Sequence, residues 1–98
     1  MATSKPSLKI ELRPGLLRQL RSLDKAEKKE IGALLERVRL GFGNPHLHQG
    51  AGIRDMGRGI YECRLDLHRR LVFSVAKGFI SFQMMGNHDQ VRRFIKGL

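Results

Sequence analysis

The sequence is short of cysteine, of long apolar runs and of acidic residues, and each shortage narrows what the chain can be. A single cysteine, Cys63, in 98 residues excludes an intrachain disulfide and any zinc site built from several thiolates. Its expected place is that of a small buried hydrophobe rather than a nucleophile. No stretch reaches the roughly 18 apolar residues of a membrane span. The opening Met-Ala-Thr-Ser-Lys-Pro-Ser has no apolar run behind it to act as a secretion signal. A soluble, cytoplasmic protein is expected. Acids number 9 against 19 Lys and Arg, a formal charge of +10. The excess is not confined to a tail, since residues 1–49 hold ten basic and five acidic residues and residues 50–98 hold nine and four. The positive field therefore belongs to the folded body, and a polyanion such as nucleic acid or an acidic protein segment is the partner it predicts.

A chain of this length is one domain, residues 1–98, burying roughly two-thirds of the surface its unfolded form exposes. Alternation at period 2 places Leu8, Ile10 and Leu12 on one face of a first strand. Pro14 suits the first turn of a helix whose stripe is Leu16, Leu17, Leu20 and Leu23. Asp24 with Glu27 reads as a capping box opening a second helix, with Ile31, Leu34, Leu35, Val38 and Phe42 on its apolar side. The Lys, Arg and Glu residues outside that stripe read as a solvated face. Gly41, Gly43 and Asn44-Pro45 end this helix.

The glycine-rich segment 50–59 predicts a loop or a bulged edge strand, and its spacing does not match a dinucleotide fingerprint. Strands follow at about 60–66, 70–76 and 79–85, the last two joined by a tight hairpin at Lys77-Gly78. Leu71, Phe73, Val75 and the run from Phe79 to Met85 are expected to be core. Val91, Phe94 and Ile95 suffice for a short closing helix. The expected class is α+β, with an N-terminal strand and two helices packed on an antiparallel sheet and a short C-terminal helix.

Three segments can carry chemistry. His46-Leu-His48 resembles half of a metal site but has no third ligand at a recognised spacing, so neither metal nor cofactor is expected. Asp66-Leu-His68-Arg69-Arg70 puts a proton-exchanging side chain beside two planar donors suited to phosphate oxygens. Gly86-Asn-His88-Asp89 places a histidine where a strand ends, either projecting over the sheet or capping the next turn. Metal-free RNA cleavage needs a base for the 2′-OH, an acid for the leaving 5′-oxygen and cations for the charge on phosphorus. His68 and His88 can form the proton-transfer pair, with Arg69 or Arg70 as the cation.

These residues resemble the RelE/ParE superfamily of type II toxin–antitoxin toxins, most closely its RelE-, HigB- and YafQ-like messenger-RNA-cleaving members. The resemblance is carried by Asn44-Pro45-His46, by Tyr61-Glu-Cys-Arg with Arg70-Leu-Val-Phe73, and by Gly86-Asn-His88-Asp-Gln-Val. It implies a RelE-like fold and a ribosome-associated, metal-independent endoribonuclease that inhibits translation and is held in check by a cognate antitoxin. Arg70 matches the strand arginine on the scissile phosphate, and His88 the catalytic histidine of the YafQ-like ending, where RelE itself has arginine. With His68 these form the expected catalytic set; Arg64, Arg69, Arg92 and His46 are the expected substrate-binding residues. Two positions depart from the family: Arg92 stands where many of these toxins have an aromatic residue, and Arg69 where YafQ-like proteins have tryptophan. A ParE-like gyrase-binding toxin and a non-catalytic RelE-like domain that binds RNA or protein are the alternatives.

Overall fold

The computed structural model describes residues 8–42 and 52–98. Their order is β1 (Lys9–Leu12), α1 (Pro14–Arg21), α2 (Lys25–Gly41), β2 (Arg54–Asp55), β3 (Ile60–Arg64), β4 (Arg70–Ala76), β5 (Phe79–Gly86) and a closing helix, α3 (His88–Lys96). The sheet runs β1-β5-β4-β3-β2. The β2-to-β5 portion is antiparallel, as expected, while β1 adds to β5 in parallel, Ile10 opposite Ile80 and Leu12 opposite Phe82, so the sheet is mixed. The segment 43–51, with Asn44-Pro45 and both His46 and His48, lies outside the described residues.

Local chemistry sets the helix starts. The Asp24 carboxylate accepts from the Glu27 backbone N–H at 2.8 Å while the Glu27 side chain accepts from Asp24 N–H at 3.4 Å, closing the expected capping box. Ile31, Leu34, Leu35 and Val38 then recur at helical spacing, and all four are buried on the sheet. In α1 only Leu16 of the expected stripe is fully buried. Leu17 faces solvent, because an eight-residue helix presents a narrow contact line. β1 pairs with β5 only as far as Phe82, and α1 covers the edge beyond it: the Gln19 amide donates to Met85 O at 2.6 Å and accepts from Met85 N–H at 2.9 Å.

A bulge in β5 decides what each face of the sheet carries. Val72 pairs with Met84 and Phe73 with Phe82, so Gln83 is the extra residue. The alternation of β5 changes phase there, and Ile80, Phe82 and Met85 all reach the core beneath α1 and α2. This corrects the reading of Phe79–Met85 as uniformly core: Phe79 is exposed, and Ser81, Gln83 and Met84 are only partly buried. Phe73 stacks on Tyr61 at 5.6 Å between ring centres, with Phe42 and Phe82 at 6.0 and 5.4 Å.

The opposite face is covered by α3, which contacts β4 and β5. Val72 and Val91 are buried outside the main core cluster. Gly86 is needed for this approach, since a Cβ there would stand 2.8 Å from Gln90 Oε1 and 2.9 Å from Gln90 Cβ. The hairpin between β4 and β5 turns through Lys77 (φ 51°) and Gly78 (φ 83°), the left-handed pair that a two-residue connection favours.

Candidate active site

Pairing at period 2 brings the charged positions together on the α3 face. Glu62 lies opposite Val72 and Arg54, and Arg64 opposite Arg70, so β2, β3 and β4 each send a side chain to one surface. Arg70 pairs in turn with Gly86, two residues before His88. Asn87, not His88, caps α3: its side chain accepts from Gln90 N–H at 2.8 Å, and Gln90 answers on Asn87 N–H at 2.8 Å. That leaves the His88 ring free of capping duty, and Arg70 Nη1 stands 2.8 Å from His88 Nδ1.

The guanidinium can only donate, so Nδ1 is the acceptor, an arrangement that in a neutral ring requires the proton on Nε2. Behind this contact lies Glu62, the one buried charged residue among those described. Its Oε1 is 3.5 Å from both Arg70 Nη1 and Arg54 Nη1. Gly52, Ile53, Arg54, Glu62, Arg64 and Arg70 line a cleft of about 380 Å³. Three guanidinium groups around one carboxylate leave a net positive recess, fit for a phosphate group.

Arg92 follows His88 by one helical turn and faces a second, more open cleft of about 690 Å³ between α3 and the β2–β3 turn. Arg58, Arg93 and Lys96 line it too, with Asp89 as the acid. Arg58 also donates to the carbonyls of Ile95 at 3.1 Å and Leu98 at 3.4 Å, tying the turn to the C-terminal end of α3. Among the described residues, none lining either cleft is aromatic.

The turn 65–69 divides the two adjacent arginines. The Asp66 carboxylate accepts from the backbone N–H groups of His68 and Arg69 at 2.9 and 2.8 Å and from Arg69 Nε at 2.9 Å. The hydrogen bond from the Arg69 side chain, and after it the His68 amide, holds the Asp66 carboxyl below the usual carboxylate range. Arg69 Nη1 also reaches Glu27 of α2 at 3.4 Å, on the side of the sheet away from Arg70. Arg69 is thus engaged by two carboxylates and ties the turn to α2. The His68 ring is exposed on the same turn. Cys63 is fully buried, and burial, reinforced by the neighbouring Glu62 charge, pushes its thiol up to about 12.

The structure therefore joins Arg70 to His88, sets Arg64 beside Arg70, places Arg92 a turn along α3, and leaves His68 at the exposed turn. Two members of the site, Glu62 and Arg54, were not foreseen. Glu62 could have been found from the alternation Ile60, Glu62, Arg64, which puts it on the arginine face. Arg54 could not, because its place depends on the two-residue pairing of β2.

No protein-family model and no curated protein sequence matches the chain. Solved structures do. A chain of the archaeal RelE–RelB complex from Pyrococcus horikoshii OT3 superposes with a TM-score of 0.66 at 17% identity, over 83% of this chain and 94% of that one. The YoeB dimer from Staphylococcus aureus gives 0.58 at 22% identity, over 84% and 98%. The E. coli DinJ–YafQ toxin–antitoxin complex gives 0.63 at 12% identity, over 87% and 97%. Identities this low speak to architecture, and the architecture agrees along most of every chain. With β1 laid parallel on an antiparallel sheet, two helices on one face and a third on the other, the chain has the RelE-like fold of these toxins.

Proposed function

We propose that the protein is the toxin of a type II toxin–antitoxin system and a metal-independent endoribonuclease that cuts messenger RNA on the ribosome and so inhibits translation. The observation that carries this reading is the 2.8 Å contact between His88, a proton-exchanging ring, and Arg70, a cation that lines a positive cleft. A phosphodiester entering that cleft competes for Arg70. When the guanidinium turns to a non-bridging oxygen, it offsets the charge that grows on phosphorus and releases His88 Nδ1. The freed nitrogen takes a proton or, once protonated, gives one to the leaving 5′-oxygen as the 2′-oxygen bonds to phosphorus. His68 on the neighbouring turn supplies the second proton-transfer group. Arg64 and Arg92 hold flanking phosphates, and Arg69 keeps the turn in place. His46, also assigned to substrate binding, lies outside the described residues.

The partners in this reading are messenger RNA, the ribosome and a cognate antitoxin with acidic surface to cover the clefts, all in the cytoplasm. Inducible expression of native and His88→Ala proteins tests it, with cuts mapped by primer extension and rates measured on programmed ribosomes. Native protein should cut messenger RNA, and His88→Ala should be slower by about 10²–10⁴-fold. Uncut messenger RNA under native expression, or equal cutting by the variant, sinks the proposal. One observation favours a second reading, a non-catalytic RNA-binding domain: among the described residues, none in either cleft offers an aromatic surface for a base. That reading requires salt-dependent RNA binding with no cleavage even on ribosomes.

A further inference from the structure

We infer that Glu62 is a positioning residue, whose buried carboxylate holds Arg70 where it fixes the ring of His88. The side chain of Glu62 is 5% exposed, against 17% for Arg70 and 67% for Arg54. A carboxylate so enclosed is costly without a cation, so the inner guanidinium is drawn onto it and away from solvent. Arg54 reaches the same Oε1 from the solvent side and closes the outer flank. Arg70 is thereby aimed across Gly86, where the missing side chain lets α3 come close enough to place His88 Nδ1 within 2.8 Å of Nη1. The order is Glu62 on β3, Arg70 on β4, His88 on α3. Glu62 does not touch the ring, so it acts through Arg70 alone.

This arrangement has a consequence for the histidine. A neutral imidazole whose Nδ1 accepts from Arg70 carries its proton on Nε2, and a guanidinium released from Glu62 would no longer enforce that choice. Substituting Glu62 also removes a negative charge from the cleft, which should help an RNA bind even as it hinders the reaction. A residue of merely structural importance would not separate binding from turnover in this way.

The activity arm of this inference rests on the proposed ribonuclease reading; the spectroscopic arm does not. With ¹⁵N-labelled histidine at alkaline pH, native protein should show His88 as the Nε2–H tautomer, and Glu62→Gln a mixture with Nδ1–H. On programmed ribosomes, Glu62→Gln should lose on the order of 10²-fold in kcat, while binding a 2′-deoxy-substituted, uncleavable messenger RNA as tightly as native protein or more so. A folded Glu62→Gln protein with the native tautomer and the native kcat overturns the inference. A changed tautomer in a protein that never cuts RNA upholds the positioning role and sinks the ribonuclease reading instead. If Glu62→Gln does not fold, the native protein decides: a held Arg70 gives separate Nη resonances in the cold, and a single averaged signal overturns the inference.

Discussion

The two faces of the sheet obey opposite rules. Beneath α1 and α2, Phe73, Phe82, Leu71 and Cys63 are sealed from solvent, and Tyr61 and Phe42 extend the aromatic packing. Beside α3, the same strands present Glu62, Arg64 and Arg70 around a cleft, with Val72 and Val91 as the buried apolar pair. One strand serves both, since Arg70 and Leu71 are neighbours in β4. The difference teaches that most of the apolar packing lies on one face, while the other holds closely spaced charges whose pairing offsets the cost of their burial.

The comparison can be broken most forcefully at Phe73. Phe73→Ala leaves a cavity among three aromatic rings and should cost about 3–5 kcal/mol, a large share of the roughly 5–15 kcal/mol that holds a domain together. Urea unfolding measures it, and His88→Ala, exposed on the other face, should change the unfolding free energy by less than about 0.5 kcal/mol. Equal losses would show that the α3 face shares the load.

Gly86→Ala sharpens the contrast from the α3 side. The added methyl meets Gln90 at 2.8–2.9 Å and must displace the helix that carries His88, at a cost of about 1–3 kcal/mol. Cleavage should fall with it, because His88 moves away from Arg70. Unchanged stability and activity would mean that α3 is held by something other than close approach to β5.

The smallest effect belongs to Asp66, whose carboxyl titrates below its ordinary value of 3.8 because Arg69 donates to it. A carboxyl depressed in the folded state contributes stability that is complete above the ordinary value and disappears as pH falls through the lower, folded one. Asp66→Asn should therefore be less stable than native protein near neutrality, and the gap should close below about pH 4. Denaturant midpoints across that range check it, and a gap that persists in acid contradicts the Asp66–Arg69 account. The effect is small because Asp66 and Arg69 remain partly in water.

Periodicity made much of this legible in the chain. The α2 stripe, the Asp24 capping box and strands β3 to β5 follow from spacing that neighbours alone dictate. Of the candidate site, His88 is legible from its place at the end of a strand, whereas Arg70 is set apart from Arg69 only by the resemblance to RelE-like toxins. Arg69 reads like Arg70 in sequence, yet Asp66 and Glu27 engage it, and only the packing of α2 on the turn separates the two. Glu62 reads as an ordinary strand residue, and its role depends on Arg54 and Arg70, which only the pairing of β2, β3 and β4 brings to it.

By itself the sequence determined most of the elements and the basic charge, because hydrophobic period, caps and net charge are local or summed properties. The parallel pairing of β1, the phase change at Gln83 and the meeting of Arg70 with His88 and Glu62 belong to the tertiary structure. These contacts join residues far apart in the chain, and register decides them: a shift of one position would turn Arg70 into the aromatic core and Leu71 toward the cleft.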